Sequence, residues 1–372
     1  MRKIKVAFCT DGIYPFAVGG MQKHSRLLLQ ELIKDSRFEI LVIHPHKEDI
    51  FPDHPIIEAK VQPLNASKNY LMECYWYSKR VYEQIKVFNP DIIYSQGLSA
   101  WYGIKEIGSR LIINPHGLEP YQAMGLKARL TAIPFKAVFN FLFSHSRTII
   151  SLGGKLTTIL RDKVGPNASL VEVPNAVVLP EPIATRELLN RPLKVLFLAR
   201  FANNKGIEIL FAAIEQLDKS NQLSRFHFTL AGGGPLYREC LERNKYSQVE
   251  LPGMVSGEEI DELFRSHDLF ILPTLYEGMP TVVLEAMSYG LPVIVSDVGA
   301  TNVLVDEENG ILIRPGEVQD VVNALLWFES LPVQAMLRMG QNSRKKVEER
   351  FTWEVVGKQH ADLFVNHVKA KE

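Results

Sequence analysis

Short unbroken apolar runs alternate along this chain with longer stretches of helical periodicity. The runs from Lys3 to Cys9, Phe38 to Ile43, Asp91 to Tyr94, Leu111 to Asn114 and Thr148 to Leu152 predict strands, most of them buried on both faces as in a parallel sheet. Between them, Met21 to Leu32 and the aromatic-rich Met72 to Val87 predict helices; Leu27, Leu28, Leu29, Leu32 and Ile33 give the first a core face. The pattern restarts at Leu193 to Leu198 and continues through strands at Phe226 to Leu230, Leu269 to Leu272 and Val293 to Val295. Two similar halves beginning about 190 residues apart predict an α/β protein of two doubly wound domains. The expected boundaries are residues 1–184 and 191–350, with a closing helix over 353–372. Leu179 to Pro192, which holds Pro180, Pro182 and Pro192, has the composition of an exposed linker.

The sharpest local pattern runs from Leu263 to Ala300. A buried strand leads into Glu277-Gly278-Met279-Pro280, a helix follows from Pro280 to Tyr289, Gly290 stops it, and Pro292 opens the next strand. Further on, Asn309-Gly310 to Pro315 reads as a hairpin-like strand and Val318 to Phe328 as a helix. A charged helix running through Lys345-Lys346 is expected after Met339-Gly340.

Composition narrows the class. Lys plus Arg equals Asp plus Glu at 42 each, which argues against a nucleic-acid binder. The three cysteines, Cys9, Cys74 and Cys240, are scattered, with no C-x-x-C pair, as expected of a reducing compartment without structural zinc. The apolar run after Met1 is too short for a signal peptide, and no run approaches the length of a membrane span, so a cytoplasmic protein is expected. His44-Pro45-His46 lacks a third ligand at useful spacing and reads as a loop. Between Tyr121 and Arg147, Lys127, Arg129, Lys136 and Arg147 punctuate a wide apolar face. Such a segment lies on an anionic membrane surface or packs on the core; the second is favoured, with Pro134 breaking or kinking the helix.

The candidate chemistry is that of an anion beside hydroxyls. Glu277 precedes the helix at Pro280 and Glu285 lies within it among Val282, Val283, Leu284, Ala286 and Met287, where an unpaired charge is costly. A helix start offers free N–H groups and positive potential to a phosphate, and two carboxylates nearby offer acceptors to hydroxyls. Arg200 and Lys205 sit five apart at a strand-to-helix turn, where a planar fork and a point charge can grip a diphosphate or stand as plain surface charges. Ala231-Gly232-Gly233-Gly234-Pro235 fails the dinucleotide fingerprint, which makes hydride transfer the weakest reading. Gly19-Gly20 before the first helix permits close backbone approach or makes a plain turn. His116 ends a parallel strand at its carboxyl edge, where open α/β sheets bind ligands.

The spacing P-T-x-x-E-G-x-P…E-A-M-x-x-G-x-P-V-I, with Glu277 and Glu285 separated by seven residues, resembles the signature of the retaining GT-B glycosyltransferases of family 4, also called group 1. R-x(4)-K-G at Arg200 to Gly206, Gly-Gly with His24 a few positions on, H-G at His116-Gly117 and V-x-P-N before the linker match it as well, although Ala176 stands where Gly usually follows Asn175. The resemblance covers nearly the whole chain and is strongest from Leu193 to Ala300.

It implies two Rossmann-like domains facing across a cleft, with the closing helix crossing back to the first and closure around the donor. The activity implied is sugar transfer from a UDP- or GDP-activated donor to a glycan or lipid-linked acceptor. By the same resemblance Arg200 and Lys205 hold the pyrophosphate, Glu285 the ribose, and Glu277 and His116 the sugar, with Glu119 fitting a common H-G-x-E variant. Gly19, Gly20, Met254, Val255, Gly278, Met279, Pro280 and Thr281 complete the expected donor site. No D-x-D motif is present, so the protein's own cations are expected to replace a divalent metal. A sugar-nucleotide epimerase on the same scaffold and a non-catalytic nucleotide-sugar-binding module are the competing readings.

Overall fold

The computed structural model describes residues 2–65, 69–123, 125–166, 168–181 and 192–369. Residues 182–191 of the expected linker therefore lie outside the described residues. The chain divides into two compact units, one running to Ala176 and resuming at Trp353, the other spanning Val177–Thr352.

The first unit is built on seven strands: β1 (Ile4–Cys9), β2 (Phe38–His44), β3 (Ile56–Lys60), β4 (Ile92–Gln96), β5 (Leu111–Asn114), β6 (Thr148–Ser151) and β7 (Ser169–Glu172). They pair in parallel in the order β3-β2-β1-β4-β5-β6-β7. Val6, Ala7, Phe8 and Cys9 of β1 are fully buried, as unbroken apolar runs require in a sheet covered on both faces. The helix Gly20–Ile33 buries Leu28, Leu29 and Leu32 against it. The helix Trp353–Lys369 adds Trp353, Val356, Ala361 and Phe364 to the same core, with Phe364 against Phe38 and Tyr94. A Cβ at Gly357 would stand 2.8 Å from the Glu31 Cβ, so glycine lets these two helices touch.

The second unit holds β8 (Leu193–Leu198), β9 (Phe226–Ala231), β10 (Val249–Gly253), β11 (Leu269–Leu272), β12 (Val293–Ser296) and β13 (Gly310–Ile313), in the order β10-β9-β8-β11-β12-β13 and again all parallel. The helix between β11 and β12 is Thr281–Ser288, with Pro280 as its N-cap. It ends in a Schellman motif: Gly290 takes φ 70°, its N–H donates to Met287 O, and the Leu291 N–H donates to Ala286 O.

Three expectations are corrected. Asn309-Gly310 does not open a hairpin: β13 pairs in parallel with β12, and the Asn309 side chain bonds Leu304 O and the Asp306 N–H to close its own loop. Met339-Gly340 does not precede the charged helix. One helix runs Val333–Arg350, and Gly340 lies inside it because a Cβ there would meet Gly290 O at 2.2 Å.

The segment 121–147 breaks at Pro134 as expected, but it packs on the core only in its second part. Pro134 starts a new helix, Ile133–His145, after a short one at Leu126–Thr131. Phe139, Leu142 and Phe143 are buried, whereas Leu126, Leu130 and Ile133 are 77, 57 and 56% exposed beside exposed Lys127 and Arg129. Among the described residues no helix is long and apolar enough to cross a membrane.

Candidate functional site

Each sheet reverses its strand order once, and such a reversal leaves a crevice at the carboxyl ends of the strands flanking it. In the second unit the reversal falls between β8 and β11. The loop leaving β8 carries Arg200, which is exposed, then the short turn Asn203–Lys205 and Gly206 at the start of the helix Ile207–Lys219. The loop leaving β11 carries Thr274 and Glu277 and ends in the helix Thr281–Ser288.

These two loops are bolted together. The Lys205 ammonium donates to Glu277 Oε1, with the two side chains 26 and 11% exposed. Thr274 Oγ1 lies 2.6 Å from Asn204 O and 3.2 Å from Glu277 Oε1, and the Leu275 N–H donates to Asn204 O. Gly206 holds φ 73°, and a Cβ on it would stand 1.8 Å from Pro273 O, so only glycine allows the loops this close. On the far side, the Ala300 N–H donates to Gly278 O at 2.8 Å and clamps the Gly278-Met279 peptide.

The helix Thr281–Ser288 has no side-chain cap and no acidic residue in its first turn, so its N-terminal partial charge is left available to an anion. Gly278, Met279 and Pro280 are buried while Thr281 and Glu285, one turn apart on this helix, are half-buried. With its side chain buried, Met279 has only its backbone to offer. At the exits of β9 and β10, the Gly232 N–H donates to Gly253 O at 2.7 Å. Cβ atoms at Gly232 and Gly234 would meet Ala199 O and Phe201 O, so the glycine run lies directly against the β8 loop. Met254, 85% exposed, covers Gly233, and Val255 is half-buried beside it.

The reversal in the first unit falls between β1 and β4. The β1 loop ends at Gly19, ahead of the uncapped helix start at Gly20. His116 leaves β5 with φ 57°, a left-handed backbone that few non-glycine residues take. Its N–H donates to Asn114 Oδ1 at 3.0 Å, and its Nε2 pairs with Gln96 Oε1. An amide oxygen only accepts, so Nε2 carries the ring hydrogen and Nδ1 keeps the lone pair. Burial, reinforced by His360, pushes His116 down to about 3 and keeps it neutral. Glu119 is exposed, with its carboxylate folded back over Gly117.

His24 is buried in edge contact with His116, Trp353 and His360, and neither of its ring nitrogens has a hydrogen-bond partner among the described residues. Burial, then the two neighbouring imidazoles, lower it well below the usual range, and burial brings His360 to about 4. The folded values lie below the unfolded one. Stability from these neutral rings is therefore complete above pH 6.5 and is lost as pH falls toward 4. Near pH 5 His360 is expected to cost about 2 kcal/mol, and His24 adds a loss of the same sign. Urea midpoints at pH 7.5, 6 and 5 check this; a flat series from pH 7.5 to 5 contradicts it.

Gln96, Tyr94, Asn114 and His360 were not legible as site residues in the sequence, because three lie in plain strands and the fourth in an amphipathic helix far along the chain. His44 and His46 gather no metal set: His44 pairs with Glu58, and His46 accepts the Ile13 N–H. Among the described residues no group of three or more His, Cys, Asp or Glu side chains is placed to hold a metal ion.

Two family models match the chain, Glycosyltransferase Family 4 over residues 18–179 and Glycosyl transferases group 1 over residues 192–329. The chain is a group 1, family 4 glycosyltransferase. An uncharacterised glycosyltransferase of Methanocaldococcus jannaschii is 26% identical over 92% of each chain. The UDP-Gal:alpha-D-GlcNAc-diphosphoundecaprenol alpha-1,3-galactosyltransferase of Escherichia coli is 30% identical over 43% of this chain and 42% of its own. Among solved structures, sucrose-phosphate synthase from Thermosynechococcus elongatus matches with a TM-score of 0.80 at 21% identity over 99% of this chain and 100% of its own, a likeness of fold. The two parallel sheets of this glycosyltransferase are those of the GT-B architecture.

Proposed function

We propose that this glycosyltransferase moves a sugar, with retention, from a nucleoside diphosphate donor to a glycan or lipid-linked acceptor, and that UDP-sugars are preferred to GDP-sugars. The carrying observation is the pairing of Lys205 with Glu277 beside an uncapped helix start at the strand-order reversal. Fixed positive potential on a leaving diphosphate is the largest help such a reaction can receive. Arg200, Lys205 and the N–H groups near Gly278 to Thr281 supply it, without a divalent metal. Glu285 accepts the ribose hydroxyls. Gly19, Gly20, Met254 and Val255 offer backbone and apolar contacts to the donor.

Glu277 and His116 position the sugar. Neutral His116 with a bare Nδ1 accepts a hydroxyl hydrogen rather than donating charge. No carboxylate stands out as a covalent nucleophile, so the leaving phosphate takes the acceptor proton on the face it departs from. The donor and acceptor of the Escherichia coli relative support the choice of UDP and of a lipid-linked acceptor. Release of nucleoside diphosphate from a panel of nucleotide sugars, with and without glycan and polyprenyl-diphosphate acceptors, tests the reading. Turnover of one UDP-sugar that rises with acceptor is expected. Conversion of the donor to a free epimer without acceptor, or turnover of none, overturns it.

Peripheral membrane contact, at the cytoplasmic face, belongs to the same proposal. Exposed Leu126, Leu130 and Ile133 beside Lys127 and Arg129 have the composition of a surface that sits in anionic headgroups. Co-sedimentation with phosphatidylglycerol vesicles is expected to fall about tenfold or more in a Leu126→Ser/Leu130→Ser variant, since each buried leucine contributes about 1.5–3 kcal/mol. Equal binding by the variant removes this surface from the account.

A further inference from the structure

We propose that His360, on the closing helix Trp353–Lys369, is a positioning residue that sets the backbone of His116 through Tyr94 and Asn114. The proposal rests on the functional reading of His116 given above, but its geometry does not. Four hydrogen bonds run in one direction through the core of the first unit. The His116 N–H donates to Asn114 Oδ1 at 3.0 Å, and Asn114 Nδ2 donates to the Tyr94 hydroxyl oxygen at 3.1 Å. The Tyr94 hydroxyl lies 3.2 Å from His360 Nε2, and His360 Nδ1 lies 2.9 Å from Val356 O.

The direction is dictated by the ends. Val356 O can only accept, so His360 Nδ1 carries the hydrogen and Nε2 is bare. A bare Nε2 requires the Tyr94 O–H to donate to it, which leaves the tyrosine oxygen to accept from the Asn114 amide. Asn114 is then oriented with its oxygen toward the His116 N–H. Tyr94, Asn114 and His360 are all fully buried, so no water competes for these groups and each unmade bond is costly.

The end of this chain is the residue that most needs it. His116 holds a left-handed φ of 57°, and the Asn114 side chain satisfies the N–H of that turn. Gln96 separately fixes the ring through Nε2. The backbone and the ring of His116 are thus fixed by different strands, and the backbone share traces to a helix far along the sequence. The ordinary alternative is that His360 is a satisfied core histidine with no influence beyond packing.

Tyr94→Phe separates the two. It keeps the ring against Phe8 and Phe364 and removes only the hydroxyl. In protein labelled with 15N-histidine, the His116 backbone amide 1H and 15N signals, identified by their loss in His116→Ala, are expected to shift in Tyr94→Phe and in His360→Leu. They should return toward wild type in His360→Gln, whose side-chain oxygen still accepts from Tyr94.

In turnover, kcat of Tyr94→Phe should fall about tenfold with donor KM within twofold. A His116→Ala/Tyr94→Phe double variant should be no slower than His116→Ala alone. Unshifted His116 signals in folded Tyr94→Phe, or additive losses in the double variant, would overturn the proposal. The nuclear magnetic resonance readout needs no substrate, so shifted signals in a protein that turns over no nucleotide sugar would refute the functional reading alone.

Discussion

Lys205→Ala is expected to lower kcat/KM for the donor about 10²- to 10³-fold while leaving the protein folded. That is the loss seen when one preorganised donor to a developing anion is removed. Two effects add. The ammonium proposed to meet the leaving diphosphate is gone, and Glu277, whose carboxylate it neutralises, becomes a negative charge at the same edge. Thr274 gives its one O–H to Asn204 O at 2.6 Å, so it does not offset the carboxylate left unpaired. Lys205→Arg should recover part of the rate, because charge is restored but the compact geometry is not. Steady-state turnover beside a thermal melt measures both, and a Lys205→Ala rate within twofold of wild type would remove the phosphate role.

Gly299→Ala should have the largest effect on integrity. Gly299 takes φ 57°, and a Cβ there would stand 2.3 Å from Glu277 O and 2.4 Å from Gly278 O. Those are backbone atoms of the loop that presents the helix Thr281–Ser288, and backbone does not yield as a side chain does. The substitution combines strain with displacement of the loop, for a loss of about 3 kcal/mol or more. Nucleotide binding is expected to vanish with it, because the Ala300 N–H can no longer clamp Gly278 O. Denaturant unfolding and UDP titration check the two consequences. A Gly299→Ala protein with unchanged stability and affinity would show that the loop is not fixed as described.

The sequence carried the second unit better than the first, for reasons visible in particular residues. The β11-to-β12 unit is local: strand, glycine, proline, helix and Gly290 stop all lie within some thirty residues, and each acts on its neighbours. β3 escaped detection because Glu58 interrupts its apolar pattern. That carboxylate is there for tertiary reasons, accepting from the Ile50 and Phe51 N–H groups and pairing with His44. Asn309-Gly310 looked like a hairpin because short-range turn chemistry says nothing about which strand lies alongside.

Glycines gave a partial signal. Gly206 stands out in its R-x(4)-K-G motif, but that its Cβ would strike Pro273 O needs the fold. The His116 surroundings were least legible. Tyr94, Asn114 and His360 converge across a sequence separation of 266 residues, and none has a neighbour that marks it.

The carboxyl edge of the second sheet is proposed to hold a nucleoside diphosphate with its ribose on Glu285. Calorimetric titration of UDP into the wild-type protein and into Glu285→Ala tests it without an acceptor or any turnover. The expected result is saturable binding by wild type and affinity more than tenfold weaker in the variant, as loss of a charge-assisted hydrogen bond of about 1.5–3 kcal/mol requires. Equal affinities in the two proteins, or no heat with either UDP or GDP in the wild type, would contradict it.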